Sequence, residues 1–219
     1  MSIKALVLDR DGVLAYFDVV KATAFFQPLL PLSLEEIARK WTSWGKKVGF
    51  PRTAGEETIF FQTFWASLSD ELDLPAESRQ KLAQFEYTSC ILAYAEVWAM
   101  LQAARQRGLR IGVLSNFSLA SLEASLAVVN LADFVDVACA ATVIGASKPA
   151  PEAYLTVCRL LGVLPAECLF FDDEVACVEG GRAVGMHAYL VDRQRQDHAL
   201  AEGIVRDLTA ITQLLPSLT

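Results

Sequence analysis

Residues 3–12 read Ile3-Lys4-Ala5-Leu6-Val7-Leu8-Asp9-Arg10-Asp11-Gly12. An apolar run this short, with no helical or alternating period, predicts a strand buried on both faces, as in a parallel sheet. It ends abruptly on two carboxylates and a glycine, which predicts a turn immediately after the strand.

The same grammar recurs downstream. A strand is expected over 110–114, ending in Ser115-Asn116, another near 134–139, another over 168–171, ending in Asp172-Asp173, and a last one over 187–191. Helical patterns lie between them, near 95–107 and closed by Gly108, near 118–129, over 151–161 and closed by Gly162, and near 175–184 before Gly185. The tail, 198–215, also reads as helical. Strands alternating with helices imply a parallel, doubly wound, Rossmann-like α/β sheet with right-handed crossovers.

One stretch departs from this rhythm. Over 16–87 no strand pattern is visible, and Trp41, Trp44, Phe60, Phe61, Phe64, Trp65 and Leu68 recur at helical spacing. Ser33 with Glu36 three residues later is a capping-box signature for a helix start. The chain thus divides into an α/β core, 1–15 and 88–219, and a helical insert, 16–87, with its own small apolar core.

Composition narrows the class. Of 219 residues, 53% are hydrophobic and 21% charged, so a sizeable core is available and disorder is excluded. Net charge is −7 and lysines and arginines form no block, which argues against a nucleic-acid surface. No apolar run approaches a membrane span and no secretory leader is visible, so a cytoplasmic protein is expected. Five cysteines, an odd number without a Cys-x-x-Cys pair, predict free thiols rather than disulfides or a zinc site.

The chemistry-bearing residues fall at or just beyond strand ends: Asp9 and Asp11, Ser115 and Asn116, Lys148, and Asp172 with Asp173. In open α/β sheets that edge is where ligands bind. Four carboxylates in one crevice repel one another unless they are neutralised. Lys148 supplies one positive charge. A divalent cation with a preference for oxygen, Mg²⁺, supplies the rest of the balance.

These residues carry a resemblance to the haloacid dehalogenase-like hydrolase superfamily over nearly the whole chain. Its first motif appears as Leu-Val-Leu-Asp9-Arg10-Asp11-Gly12-Val13-Leu14, and its second as Ile111-Gly112-Val113-Leu114-Ser115-Asn116. Its third appears as Ser147-Lys148-Pro149, and its fourth as Leu169-Phe170-Phe171-Asp172-Asp173 followed by Arg182-Ala183-Val184-Gly185-Met186. The insert at 16–87 matches the cap domain that many members carry between the first two motifs. Phosphatases of the family keep an aspartate where Asp11 stands, whereas true dehalogenases lack it.

The resemblance therefore implies a Mg²⁺-dependent phosphatase acting on a small phosphorylated metabolite. Asp9 would be the nucleophile and Asp11 the acid and base. Ser115, Lys148, Asn116 and Arg10 would contact the phosphoryl group or substrate, with Asn116 also a candidate helix cap. Asp9, the Asp11 carbonyl and Asp173 would hold the metal, with Asp172 behind them. Two departures from the family pattern stand out. Cys177 occupies a position where relatives carry an aspartate or asparagine, and a thiol suits Mg²⁺ poorly. Tyr16 and Phe17 replace a polar pair at the entry to the insert. Lys46, Lys47, Arg52, Trp41 and Trp44 are candidate leaving-group contacts, and His187 and His198 lie off the motifs. A phosphomutase, a dehalogenase, or a binding protein with a degraded site are the alternatives.

Overall fold

In a computed structural model describing residues 2–217, the run Ala5–Leu8 is strand β1 and is completely buried. A short strand β2 (Ala15–Phe17) leads into four helices: α1 (Val19–Phe26), α2 (Leu34–Val48), α3 (Ala54–Glu71) and α4 (Ala76–Ala83). The chain returns through β3 (Ile91–Ala93), which pairs antiparallel with β2. Strands and helices then alternate: α5 (Val97–Gln106), β4 (Arg110–Ser115), α6 (Leu122–Val128), β5 (Val137–Ala140) and the single turn α7 (Ala141–Ile144). They continue with α8 (Pro151–Leu161), β6 (Cys168–Asp172), α9 (Val175–Ala183), β7 (His187–Val191), β8 (Ile204–Val205) and α10 (Ile211–Ser217).

The large sheet runs in the order β5-β4-β1-β6-β7-β8, and every pairing in it is parallel. Each central strand feeds two cores because successive side chains point to opposite faces. Leu6 and Leu8, Ile111 and Val113, and Leu169 and Phe171 pack on one face against α5, α6 and α10. Ala5 and Val7, Leu114, and Cys168 and Phe170 pack on the other, against α8 and α9. Fully burying one such large apolar side chain stabilises the fold by about 1.5–3 kcal/mol. The doubly wound, Rossmann-like sheet expected from the sequence is the observed one.

The helical insert has a separate apolar cluster built from Phe26, Leu30, Ile37, Phe64, Trp65, Leu68 and Leu82. Its helix α2 opens on the expected capping box: Ser33 Oγ accepts from the Glu36 N–H at 3.2 Å, and Glu36 accepts from the Ser33 N–H at 2.8 Å.

Two features differ from the sequence reading. The β2–β3 ribbon is invisible in the sequence, because three residues per strand are too few to display a period, and β2 takes up Tyr16 and Phe17. The tail is not one helix: Ile204 and Val205 add a sixth strand beside Leu190 and Val191, and α10 starts only at Ile211. A two-residue strand exists only through its pairing with the sheet edge, so its own sequence carries no signal of it. Among the described residues no helix is long and apolar enough to cross a membrane.

Candidate active site

Register brings the site together. Leu8 is level with Val113 of β4 and Phe171 of β6, so Asp9, Ser115 and Asp172 emerge along one carboxyl edge of three neighbouring strands. The Asp9 N–H donates to the Phe171 carbonyl at 2.9 Å, continuing the ladder one step past β1 and fixing Asp9 beside Asp172.

Lys148 reaches this edge from the connection between α7 and α8. Its ammonium lies 2.6 Å from Asp172 Oδ2 and 2.9 Å from Asp9 Oδ1, and its side chain is 1% exposed. The contact with Asp172 is a hydrogen bond; that with Asp9 is ionic in distance but poorly aligned, leaving Asp9 Oδ1 a buried acceptor with no hydrogen-bond donor. Burial alone would lower the Lys148 pKa, but the charges of Asp9 and Asp172 outweigh it and hold the ammonium above its ordinary value. Burial pushes Asp9 the other way, up to about 6, against the pull of Lys148.

Asn116 does not cap a helix, the second of the two tasks expected of it. Its side-chain oxygen accepts from the Lys148 N–H at 2.8 Å and its amide donates to the Lys148 carbonyl at 2.9 Å. It holds the backbone of the lysine rather than capping a helix; α6 begins six residues later, after Ser121. The Lys148–Pro149 peptide is cis. Ser115 is buried, and no side chain among the described residues claims its hydroxyl.

The acidic cluster contains Asp9, Asp172 and Asp173, whose nearest carboxylate oxygens all lie within 4.8 Å of one another. Asp172 is fully buried, and both its oxygens are engaged, one by Lys148 and the other by the Glu174 N–H at 2.9 Å. Asp173 is solvent-accessible; partial desolvation and the neighbouring Asp172 charge raise its pKa. Gly12 makes room for it. With φ of +71° the backbone there favours glycine, and a Cβ would stand 2.1 Å from Asp173 Oδ2.

Asp11 does not join the cluster. Its half-exposed carboxylate is gripped by Arg10, with Nη2 at 2.7 Å and Nε at 3.2 Å from both oxygens. The fourfold repulsion expected from the sequence is therefore threefold in this conformation. Arg10 is itself buried, donates to Ser125 Oγ at 3.1 Å and lies 4.0 Å over the Phe117 ring. Arg10 thus positions Asp11 in this arrangement.

Cys177 sits in α9 beneath the cluster but outside it. Burial raises its thiol pKa to about 12, and the protonated sulfur donates to Glu174 at 3.3 Å. It is not a metal ligand in this arrangement. The remaining donor set is oxygen only, carries three carboxylates against one ammonium, and includes an oxygen without a hydrogen-bond donor. That set fits a hard divalent cation such as Mg²⁺. An open cavity of about 320 Å³, lined by Gly12, Tyr94, Asp173, Asp192 and Arg193, gives the cluster access to water.

Two residues near the site escaped the sequence reading. Arg193 donates to the carbonyls of Gly12 at 2.7 Å and Val13 at 2.5 Å, pairs with Glu96 at 2.9 Å, and stacks 3.3 Å over Tyr94. It pins the turn that carries Asp11 and Gly12. Glu57, on α3, crosses from the insert to the start of α6 and binds Ser121. An isolated arginine or glutamate has no local signature, so nothing in the sequence could have singled them out. Of the expected insert contacts, Trp41 lines a cavity shared with core residues Phe117 and Leu119, whereas Trp44 and Arg52 line one made of insert residues only. His198 is engaged with Thr209 and Arg206 in the tail, away from the cluster.

A parallel sheet whose carboxyl edge gathers three carboxylates and a buried lysine marks the candidate active site of an α/β protein, and comparison places the chain in a family. The haloacid dehalogenase-like hydrolase model matches residues 3–185, and the chain belongs to that family. It is 42% identical over 216 residues, 98% of each chain, to "Phosphatase MT3486" of Mycobacterium tuberculosis (strain CDC 1551 / Oshkosh). It is 29% identical over 171 residues to Hexitol phosphatase A of Escherichia coli (strain K12), covering 73% of this chain and 77% of that one. Among solved structures, the HAD phosphatase from Thermococcus onnurineus superposes with a TM-score of 0.67 at 22% identity, covering 97% and 98% of the two chains, which shows the shared fold.

Proposed function

We propose that the protein is a Mg²⁺-dependent phosphatase that hydrolyses a small phosphorylated metabolite through an aspartyl-phosphate on Asp9. The observation that carries this reading is the Asp9–Lys148–Asp172 arrangement, with Asp173 beside it and Asp11 two residues along the chain. The relatives named phosphatases, the nearer of the two above covering essentially the whole chain, support it. In this reading residues 16–87 are the cap.

Phosphate monoesters resist anionic nucleophiles, so positioning and charge neutralisation must supply the catalysis. Asp9, fixed by its backbone bond to β6, would attack phosphorus in line, breaking the bond to the leaving oxygen as the acyl-phosphate forms. Lys148 would stabilise charge on the transferring oxygens, and the unclaimed Ser115 hydroxyl would donate to one of them. Asp11 would give a proton to the departing alcohol and later take one from the water that attacks the phosphorus. The Arg10 grip holds Asp11 as an acceptor, so the donating step requires its carboxyl to turn from Arg10 into the cleft. Mg²⁺, held by Asp9, the Asp11 carbonyl and Asp173 with Asp172 behind them, would neutralise phosphoryl charge.

The test is phosphate release from a panel of small phosphate esters, with Mg²⁺, with chelator, and with Asp9→Asn. Release that needs both Mg²⁺ and Asp9 is expected. A folded, Mg²⁺-saturated protein that frees no phosphate from any ester would sink the reading.

A further inference from the structure

Between the helical insert and the core lies a cavity of about 230 Å³, lined by Ile37, Trp41, Phe61 and Trp65 on one side and Phe117 and Leu119 on the other. Rings bridge the two units: Phe61 stacks on Tyr87 at 6.1 Å, and Tyr87 meets Phe117 at 5.6 Å. The walls offer almost no hydrogen bonding. The Tyr87 hydroxyl is already engaged with Ser121 Oγ at 2.9 Å, while the buried Trp65 indole N–H, without an acceptor, is an unpaired donor among the lining residues.

Phe117 connects this cavity to the chemistry. Its ring supports the Arg10 guanidinium at 4.0 Å, and Arg10 in turn holds Asp11 at 2.7 Å. Phe117 also follows Ser115 by two residues. A group departing toward Asp11 is therefore separated from the apolar space by the Arg10 guanidinium and the Phe117 ring beneath it.

From this geometry we infer that the substrate is a phosphate monoester of an apolar, ring-bearing alcohol, with the organic part seated in this cavity. The inference rests on the phosphatase reading above. Apolar carbon gains free energy on leaving water, whereas the several hydroxyls of a polyol would lose their hydration here with little beyond the Trp65 N–H to replace it. The volume suits one ring with a short linker, since about 150 Å³ accommodates benzene. The site therefore discriminates against sugar and polyol phosphates.

The test compares kcat/KM for 3-phenylpropyl phosphate, n-propyl phosphate and glycerol 1-phosphate on the full chain with Mg²⁺. All three leaving groups are primary alcohols, so intrinsic reactivity does not set the ranking. The phenylpropyl ester is expected to lead both others by about 30-fold or more. Ala38→Trp, at an exposed position on α2 that borders the cavity, should remove most of that lead. Binding of 3-phenylpropylphosphonate, read by tryptophan fluorescence, should be tighter than that of propylphosphonate by a similar factor and should weaken in the same variant. Equal kcat/KM for the three esters, or a lead that survives Ala38→Trp, overturns the inference and leaves the phosphatase reading standing. Release from no ester overturns both. A dimer that Ala38→Trp dissociates, with no ester preference, would assign the cavity to a second copy of the chain and overturn the inference.

Discussion

Glu57 of the insert and Ser121 of the core form a two-pronged bond across the boundary between the two units. The Ser121 N–H donates to Glu57 Oε2 at 2.9 Å and its hydroxyl donates to Oε1 at 2.5 Å. Glu57 is 8% exposed, so this carboxylate depends on Ser121 for much of its solvation. It also satisfies an N–H at the start of α6 that no other side chain caps.

Replacing Glu57 by Gln keeps the shape and removes the charge. Hydrogen bonds to a charged group contribute about 1.5–3 kcal/mol, so the insert should open more often. Amide exchange at residues 119–125 should speed up by roughly 10-fold or more, since each 1.4 kcal/mol is a factor of ten. Exchange there identical to wild type would show that Glu57 does not hold the two units together.

Lys148→Met preserves length and leaves Asp9 and Asp172 facing one another without a counter-charge. Breaking a buried ion pair on one side costs about 3–5 kcal/mol, and urea unfolding at pH 7 should show a loss of that order. Phosphate release should fall by about 100-fold or more. Wild-type stability in this variant would mean that the pair of carboxylates is neutralised by another route.

Asp9 gives the protein a pH dependence of its own. Its folded pKa of about 6 lies above its ordinary value of 3.8. Between those values the folded chain keeps a proton that the unfolded chain releases, so in chelator stability should fall as pH rises from about 4 to about 6. Asp9→Asn should flatten that decline and be the more stable protein at pH 7, by roughly 1–3 kcal/mol. Thermal melts of both proteins across that range, in chelator, check the sign. A wild type that gains on its variant as pH rises would reverse it.

Gly12→Ala places a methyl on a residue with φ of +71° and within 2.1 Å of Asp173 Oδ2. The strain should cost about 1 kcal/mol, and Asp173 must move away. Calorimetric titration should show Mg²⁺ affinity reduced about 10-fold or more. Unchanged affinity would remove Asp173 from the set of metal-holding residues.

The legible parts of this protein were those set by neighbours in sequence. Ala5–Leu8 and Cys168–Asp172 announce themselves because a strand buried on both faces must be apolar throughout, and the Ser33–Glu36 box because a helix start needs local partners. The Asp9, Ser115, Lys148 and Asp172 positions were legible for a related reason: each lies at or just beyond an element boundary, where a break in pattern is visible. The two-residue β8 and the β2–β3 ribbon were not, because their hydrogen bonds run to residues far along the chain.

Sequence alone thus determined the alternation of the longer strands and helices, the sheet class and which strand ends carry polar residues, since periodicity and chain chirality leave few other arrangements. Tertiary structure alone decided what each polar group does there. Asp11 turns to Arg10, Asn116 holds the Lys148 backbone, Cys177 is buried as a neutral thiol, and Arg193 pins Gly12 from 181 residues away. Hydrogen-bond partnership and desolvation depend on distances of a few ångströms between segments remote in sequence, and no local pattern encodes such distances.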